Sequence, residues 1–294
     1  MARTNWAGVF VVSVTPFHED GRFDESATRI LLDTLITEGV TGVVLAGSTG
    51  EWFTMSDEER VELFRIGTEA VGGRVPVLAG ISAIATQSAI RLASDAADLG
   101  LDGALLLPPP YVLPTDRELE AYVAAVAEVG LPIMLYNNPG RTGVNLDARW
   151  LRKLSRHPAI VAVKESTKDV HQLSATIRDF GEELAVFTGM ETYLGPVLDR
   201  GGAGVVAMAP NVFGSLPVEL FRSIEIGDSE KAQKLQDVID RLYARMYAGT
   251  HNPYVVLKES MRALGRPGGH PRLPLLPFEP AEREELSTFL HSVA

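Results

Sequence analysis

Hydrophobic positions fall along this chain in two alternating textures. Short runs of apolar residues, rich in β-branched side chains, are each followed by a longer stretch in which apolar residues recur every three or four positions. A short, wholly apolar run reads as a strand buried on both faces, as in a parallel sheet beneath helices; the longer texture reads as an amphipathic helix. The first pair is 8–14, closed by Thr15-Pro16, and a helix opened by Phe23-Asp24-Glu25 that carries Ile30, Leu31, Leu35 and Ile36 on one face and ends at Gly39. The pairing recurs as 42–46 with 56–71, 75–79 with 86–99, 103–107 with 115–129, and 132–136 with 146–155. It continues as 160–164 with 170–180, 184–188 with 191–200, and 204–208 with 216–226. Ser56 with Glu59, and Thr115 with Glu118, have the spacing of a capping box, and Gly100 and Gly130 close their helices.

Eight strand-then-helix units, at intervals of about 20 to 35 residues, predict an α/β fold of the (β/α)8 TIM-barrel type over residues 1–226. A doubly wound sheet would place a Gly-rich fingerprint after its first strand. This chain has Thr15-Pro16-Phe17 there. After Ile226 the alternation stops. Residues 228–247, 253–264 and 279–293 predict three helices, with a Gly/Pro-rich link at 265–277. They make a C-terminal helical extension over 227–294, suited to covering a face of the barrel or building an oligomer.

Composition narrows the chemistry. With 294 residues, 46% of them hydrophobic, the chain can bury a sizeable core. A net charge of −11 argues against a nucleic-acid partner or an anionic membrane surface. The absence of cysteine excludes disulfides, thiolate metal sites and a cysteine nucleophile. No apolar run approaches a membrane span, and Met1-Ala2-Arg3-Thr4-Asn5-Trp6 lacks a signal-peptide pattern, so a cytoplasmic protein is expected. The six histidines (His18, His157, His171, His251, His270, His291) show no ligand spacing and none lies at a strand end, which disfavours metal catalysis. No cofactor is expected.

In a barrel of this kind chemistry sits at the C-terminal ends of the strands. Those ends are Thr15, Gly47-Ser48-Thr49-Gly50-Glu51, Tyr111, Tyr136-Asn137, Lys164, Gly189-Met190-Glu191 and Ala209-Pro210-Asn211. Lys164 stands out. It ends the run Ile160-Val161-Ala162-Val163, where apolar walls would lower its pKa and leave a neutral, nucleophilic amine able to form a Schiff base. The plainer reading is a lysine that snorkels to water. The other five lysines (Lys153, Lys168, Lys231, Lys234, Lys258) lie in polar, helix-like surroundings. One lysine, two tyrosines and a Ser-Thr pair form a constellation for imine chemistry with phenol and hydroxyl proton relays. Each also has a plain structural reading: Tyr136 as a core aromatic with its hydroxyl at the rim, Tyr111 as packing beside Pro108-Pro109-Pro110, and Gly47–Gly50 as a turn. That turn lacks the Gly-Lys-Ser/Thr ending of a phosphate loop. Arg141, in Asn138-Pro139-Gly140-Arg141-Thr142-Gly143, is either a solvated loop residue or a bidentate partner for a carboxylate.

Taken together, Gly47-Ser48-Thr49-Gly50-Glu51, Leu135-Tyr136-Asn137-Asn138-Pro139, Val163-Lys164-Glu165 and Asn252-Pro253 resemble the dihydrodipicolinate synthase/N-acetylneuraminate lyase family of pyruvate-dependent class I aldolases. The resemblance spans Gly8 to about Gly265. It implies a (β/α)8 barrel with a C-terminal helical extension and a homotetramer built as a dimer of dimers. It implies Lys164 as the imine-forming residue, Tyr136 as the proton shuttle, and Ser48 and Thr49 on the pyruvate carboxylate and in the relay. Tyr111 resembles the tyrosine that the family donates across a dimer interface. Gly189 and Val206 fall where backbone lines the pyruvate pocket.

The second substrate is less clearly marked. Arg141 resembles the synthase branch, where this arginine binds the carboxylate of aspartate semialdehyde. Glu191 is nearer the acidic residue that the lyases direct at sugar hydroxyls, and Trp52-Phe53 departs from the small residues usual in the synthases. The leading expectation is a Schiff-base lyase that joins pyruvate to an aldehyde or releases it, of the 4-hydroxy-tetrahydrodipicolinate (dihydrodipicolinate) synthase type. A 2-keto-3-deoxy sugar-acid aldolase or dehydratase is the alternative, and a barrel that binds a 2-oxo acid without turnover is a third. Ile84, Ser88 and Pro110 stand where the resemblance leads one to look for Asn, Glu and Tyr in a lysine-feedback pocket, so such feedback is not expected.

Overall fold

The computed structural model describes residues 4–249 and 251–293. Met1, Ala2 and Arg3, part of the stretch read above for a signal peptide, lie outside the described residues, as do Thr250 and Ala294. In chain order the first half comprises β1 (Gly8–Val12), α1 (Glu25–Thr37), β2 (Gly42–Leu45), α2 (Asp57–Val71), β3 (Val77–Gly80), α3 (Thr86–Asp98), β4 (Gly103–Leu106), α4 (Asp116–Ala127) and β5 (Ile133–Asn137). There follow α5 (Pro139–Thr142), α6 (Ala148–Leu154), β6 (Ile160–Glu165), α7 (Val170–Phe180), β7 (Ala185–Thr188), α8 (Leu194–Leu198), β8 (Gly204–Ala207), α9 (Pro210–Phe213) and α10 (Leu216–Glu225). The chain ends in α11 (Ser229–Met246), α12 (Pro253–Ala263) and α13 (Pro280–Val293).

The eight strands are all parallel and close in sequence order, β8 pairing with β1, which is the expected (β/α)8 barrel. Closure is tight: a Cβ on Gly204 would strike the Gly8 backbone, and its φ of +144° lies where L side chains are strained. The capping boxes form. The Ser56 amide donates to Glu59 at 3.0 Å and the Thr115 amide to Glu118 at 2.8 Å, so orphan donors at both helix starts are satisfied.

Strand alternation divides the apolar residues into two cores. Phe10, Val12, Val44, Leu78, Leu105, Met134, Ala162 and Phe187 fill the barrel interior, while Val9, Val11, Val43, Leu135, Val163 and Val186 face the surrounding helices. The interior is therefore packed, and a cavity within the barrel can open only at an end of the strands. The expected helix 191–200 is split: Glu191–Tyr193 is a 3-10 turn leading into α8. The two short helices α5 and α9, each begun by a proline, were not visible in the apolar pattern. The three final helices fall where expected. Of these, α11 packs on α10 and on the 191–193 turn, and α12 packs on α9. Among the described residues no helix is long and apolar enough to cross a membrane.

Candidate active site

The same alternation that fills the barrel aims its reactive groups. Counting inward from Ala162, the next inward position of β6 is Lys164; counting from Met134, the next inward position of β5 is Tyr136. Register sets these two side by side, with the Lys164 ammonium nitrogen 4.4 Å from the Tyr136 ring centroid. Lys164 is only 5% exposed. Burial pushes its pKa down to about 7, opposed by the negative charge of Glu191. At neutral pH a large share of the amine is thus free to attack a carbonyl. Burial pushes the Tyr136 phenol up, so it keeps its proton, and the Asn138 amide donates to its oxygen at 2.9 Å.

Next to the lysine the backbone must come close. A Cβ on Gly189 would collide with Ser166 Oγ and approach Lys164 Cε to 3.0 Å. The Ser166 hydroxyl is buried there without a hydrogen-bond partner among the described residues.

The loop after β2, which carries Ser48 and Thr49, is tied down from two directions. The Thr15 hydroxyl donates to the Gly50 carbonyl at 2.8 Å. Glu51, held at φ +58°, buries its carboxylate in an ion pair with Lys258 of α12. Lys258 also donates to the carbonyls of Thr15 and His270, each at 2.8 Å. This corrects the expectation that Lys258 sits in polar surroundings: it is 1% exposed, and burial pushes its pKa down to about 8. The C-terminal extension is thereby bolted to the loop that presents Ser48 and Thr49.

A cavity of about 360 Å³ opens at the C-terminal ends of the strands. Of the expected site residues it is lined by Ser48, Thr49, Tyr136, Arg141, Lys164 and Gly189. Other residues of its wall escaped the sequence reading, among them Ser166, Thr167, Lys168, Met208, Tyr247 and Tyr254. Arg141 lies over the Tyr254 ring, 5.6 Å from its centroid, and the Lys168 ammonium lies 4.6 Å from that of Tyr247. No aspartate or glutamate lines the cavity, so its far end, with Arg141 and Lys168, is cationic inside an acidic protein. Trp52 and Phe53 do not line it either. Phe53 backs Tyr254 at 6.1 Å between centroids, and Trp52 packs under Arg60.

Three expected residues stand elsewhere. Tyr111 is 89% exposed, at φ +74°, on a loop with exposed Val112 and Leu113. Val206 lies in the barrel interior with Phe10 and Phe187. Glu191, expected to meet substrate, is fully buried: Oε1 accepts from the amides of Met208 and Ala209 at 3.0 and 2.8 Å, and Oε2 accepts from the Tyr243 hydroxyl. With both oxygens occupied by the protein, its carboxylate is not offered to the cavity. A signal for Tyr254 was present in the sequence, since it directly follows Asn252-Pro253, and Ser166 lies one strand repeat beyond Lys164. Tyr247 and Lys168 carry no such mark.

The model of the dihydrodipicolinate synthetase family matches residues 5–293. An uncharacterized DapA-like lyase of Rhizobium meliloti is 43% identical over 97% of this chain and 96% of its own. The 4-hydroxy-tetrahydrodipicolinate synthase of Methanoculleus marisnigri is 38% identical over 96% of this chain and 98% of its own. Among solved structures, YagE, a prophage protein of the dihydrodipicolinic acid synthase family from E. coli K12 in complex with pyruvate, superposes with a TM-score of 0.93 at 29% identity, covering 98% of each chain.

Proposed function

The chain belongs to the dihydrodipicolinate synthetase family, and from that premise we propose that it is a Schiff-base-forming lyase acting on pyruvate and an aldehyde, with Lys164 as the nucleophile. The observation that carries this reading is the Lys164 amine, buried at the mouth of the barrel with its pKa pushed down to about 7, against a phenol that keeps its proton.

The neutral amine adds to pyruvate C2. Tyr136 protonates the departing oxygen, water leaves, and a protonated imine remains. That cation is an electron sink. It allows a proton to leave C3, and the resulting enamine attacks the aldehyde carbon, whose oxygen takes up a proton; cleavage is the same sequence reversed. Ser48 and Thr49 hold the pyruvate carboxylate and, with Gly189, fix its orientation. Ser48 also takes part in the relay, together with Tyr111 supplied by a second copy of the chain, whose exposure on its own subunit suits that role. A homotetramer in the cytoplasm accords with this reading. Residues 1–226 form the catalytic barrel, and 227–294 an extension that contributes Tyr247 and Tyr254 to the cavity wall.

Aspartate semialdehyde is the aldehyde assigned by this reading, since Arg141 in the cavity wall can take its carboxylate bidentately. The activity is then that of a 4-hydroxy-tetrahydrodipicolinate synthase, as the Methanoculleus marisnigri relative is named. A second reading, a 2-keto-3-deoxy sugar-acid aldolase or dehydratase, draws on the hydroxyls of Ser166, Thr167, Tyr247 and Tyr254 around the same space. The decisive experiment is an intact-mass spectrum after incubation with pyruvate and borohydride. One reduced pyruvate adduct per chain, absent from Lys164→Ala, is expected; a wild-type protein without the adduct refutes the mechanism. Pyruvate consumption with aspartate semialdehyde, against release from 2-keto-3-deoxy acids, then separates the two readings.

A further inference from the structure

Lys168 stands at the cavity in a conformation that a lysine adopts at a cost. It follows β6 by three residues, between Thr167 and the Asp169 cap of α7, and its φ is +64°. A positive φ favours glycine, because an L side chain crowds its own backbone there. Among the described residues five that are not glycine have such a φ, and of these Lys168 alone lines the cavity. The backbone is pinned on both sides. The Lys168 carbonyl accepts from the Tyr193 hydroxyl at 3.2 Å, and the Asp169 carboxylate caps α7, accepting from the amides of His171 and Gln172 at 2.8 and 3.2 Å. A strained residue kept in the wall of a binding cavity points to a use for its side chain.

No acid neutralises that side chain. Its ammonium lies 4.6 Å from the Tyr247 ring centroid, as the Arg141 guanidinium lies 5.6 Å from that of Tyr254, and neither cation has a carboxylate partner among the described residues. The acids nearest Lys168 in the chain are already engaged: Asp169 in the helix cap, and Glu165 with Asn137, Gln172 and the Thr167 amide. With pyruvate bound as an imine, the cavity holds three positive charges, on the imine nitrogen, Arg141 and Lys168, against one pyruvate carboxylate. An anionic group on the second substrate reduces that imbalance, whereas a neutral one leaves it in full.

We propose that Lys168 is a specificity-determining residue: together with Arg141 it makes the second-substrate part of the cavity selective for a molecule that ends in a carboxylate. The proposal rests on Lys164 being the imine-forming amine. The same rule applies to both readings of the function. For aspartate semialdehyde the group concerned is its carboxylate. Among 2-keto-3-deoxy sugar acids it is a second acid at the end of the chain, so a doubly acidic member is preferred over one that ends in an alcohol. Lys168 acts as a point charge on a flexible stem, which attracts a carboxylate without orienting it, while the planar fork of Arg141 can orient it. Tyr247, from the C-terminal extension, is the surface on which the ammonium rests.

The test uses two 2-oxo acids of equal length. 2-Oxoadipate and 2-oxohexanoate differ only in the last carbon, a carboxylate in the first and a methyl group in the second. Both present the C2 carbonyl to Lys164, and the chain beyond C3 takes the place of the second substrate, which bonds at C3. Borohydride trapping is titrated with each acid, and the ratio of half-saturating concentrations measures the preference for the charged end. The wild type should favour 2-oxoadipate by at least about tenfold, and raising the salt from about 0.02 to about 0.5 M should shrink that preference. Lys168→Gly relieves the backbone at φ +64° and removes the charge, so it should fold as the wild type does while its preference falls by about three- to tenfold. Lys168→Arg keeps the charge and should keep the preference. A lysine present only to pack on Tyr247 would leave the ratio untouched, because both acids would change together. A wild type that prefers neither acid, or traps neither, overturns the proposal, as does an unchanged ratio in Lys168→Gly. Absence of a pyruvate adduct in the wild type would instead overturn the assignment of Lys164.

Discussion

Replacing the nucleophile should make the protein more stable. Lys164 is 5% exposed, and burial lowers its pKa from 10.5 to about 7. The unfolded chain has no such burial, so between pH 7 and 10.5 it binds more protons than the folded chain. Wild-type stability therefore rises with pH across that window, and the full penalty of burying the charge is present below pH 7. Lys164→Met keeps an unbranched side chain, one heavy atom shorter, and removes the charge. The linkage relation puts the resulting gain at about 4 kcal/mol at pH 7 and about 2 kcal/mol at pH 9, order-of-magnitude figures that already contain the opposing Glu191 charge. For a domain of this size that corresponds to a rise in Tm on the order of 8 °C near neutrality. Thermal melts of both proteins at one fixed concentration, taken between about pH 6 and 9, measure the gap; the fixed concentration matters because assembly also stabilises. The difference between the two proteins cancels the titrating groups that do not interact with Lys164, which leaves Glu191 as its coupled partner. A gap of zero, or one that does not shrink as pH rises, would show that Lys164 is not held as a desolvated amine, and the case for its reactivity would lose its physical basis.

Two further substitutions separate the parts of the site. Gly189→Ala places a methyl group against Ser166 Oγ and Lys164 Cε, so borohydride trapping of pyruvate should fall at least tenfold while the melting profile stays cooperative; unimpaired trapping would mean that the close approach is not needed. Arg141→Ala should leave trapping intact but lower kcat/KM for an anionic aldehyde by roughly 10- to 100-fold, the worth of a charge-assisted hydrogen bond, and an equal loss in trapping would place Arg141 on pyruvate instead.

How much of this was legible beforehand depends on the range of the interactions concerned. Strand and helix identities follow from local spacing of apolar residues, and the barrel from eight repeats of that spacing. Lys164 was visible because a lysine at the end of Ile160–Val163 contradicts its own neighbourhood. Lys258 and Glu51 showed no such contradiction. They are buried because residues more than 200 positions apart meet, and each lies in a stretch whose local pattern suits an exposed charge equally well. Glu191 was placed at the right strand end and given the wrong direction. The 3-10 turn at 191–193 and the arrival of Tyr243 from α11 decide where its carboxylate points, and neither is encoded in the residues beside it. Tyr247 and Tyr254 become cavity residues only because the extension folds over the strand ends.

By itself, then, the sequence determined the alternation of elements, the closed barrel they imply, and which side chains could carry imine chemistry, because those properties depend on periodicity and on residue type. The tertiary structure alone decided which of those side chains share a cavity, which charges are buried together, and what lies opposite the lysine. Direction and partnership at a site are set by contacts between distant segments, and a one-dimensional pattern holds no record of them until the chain is closed.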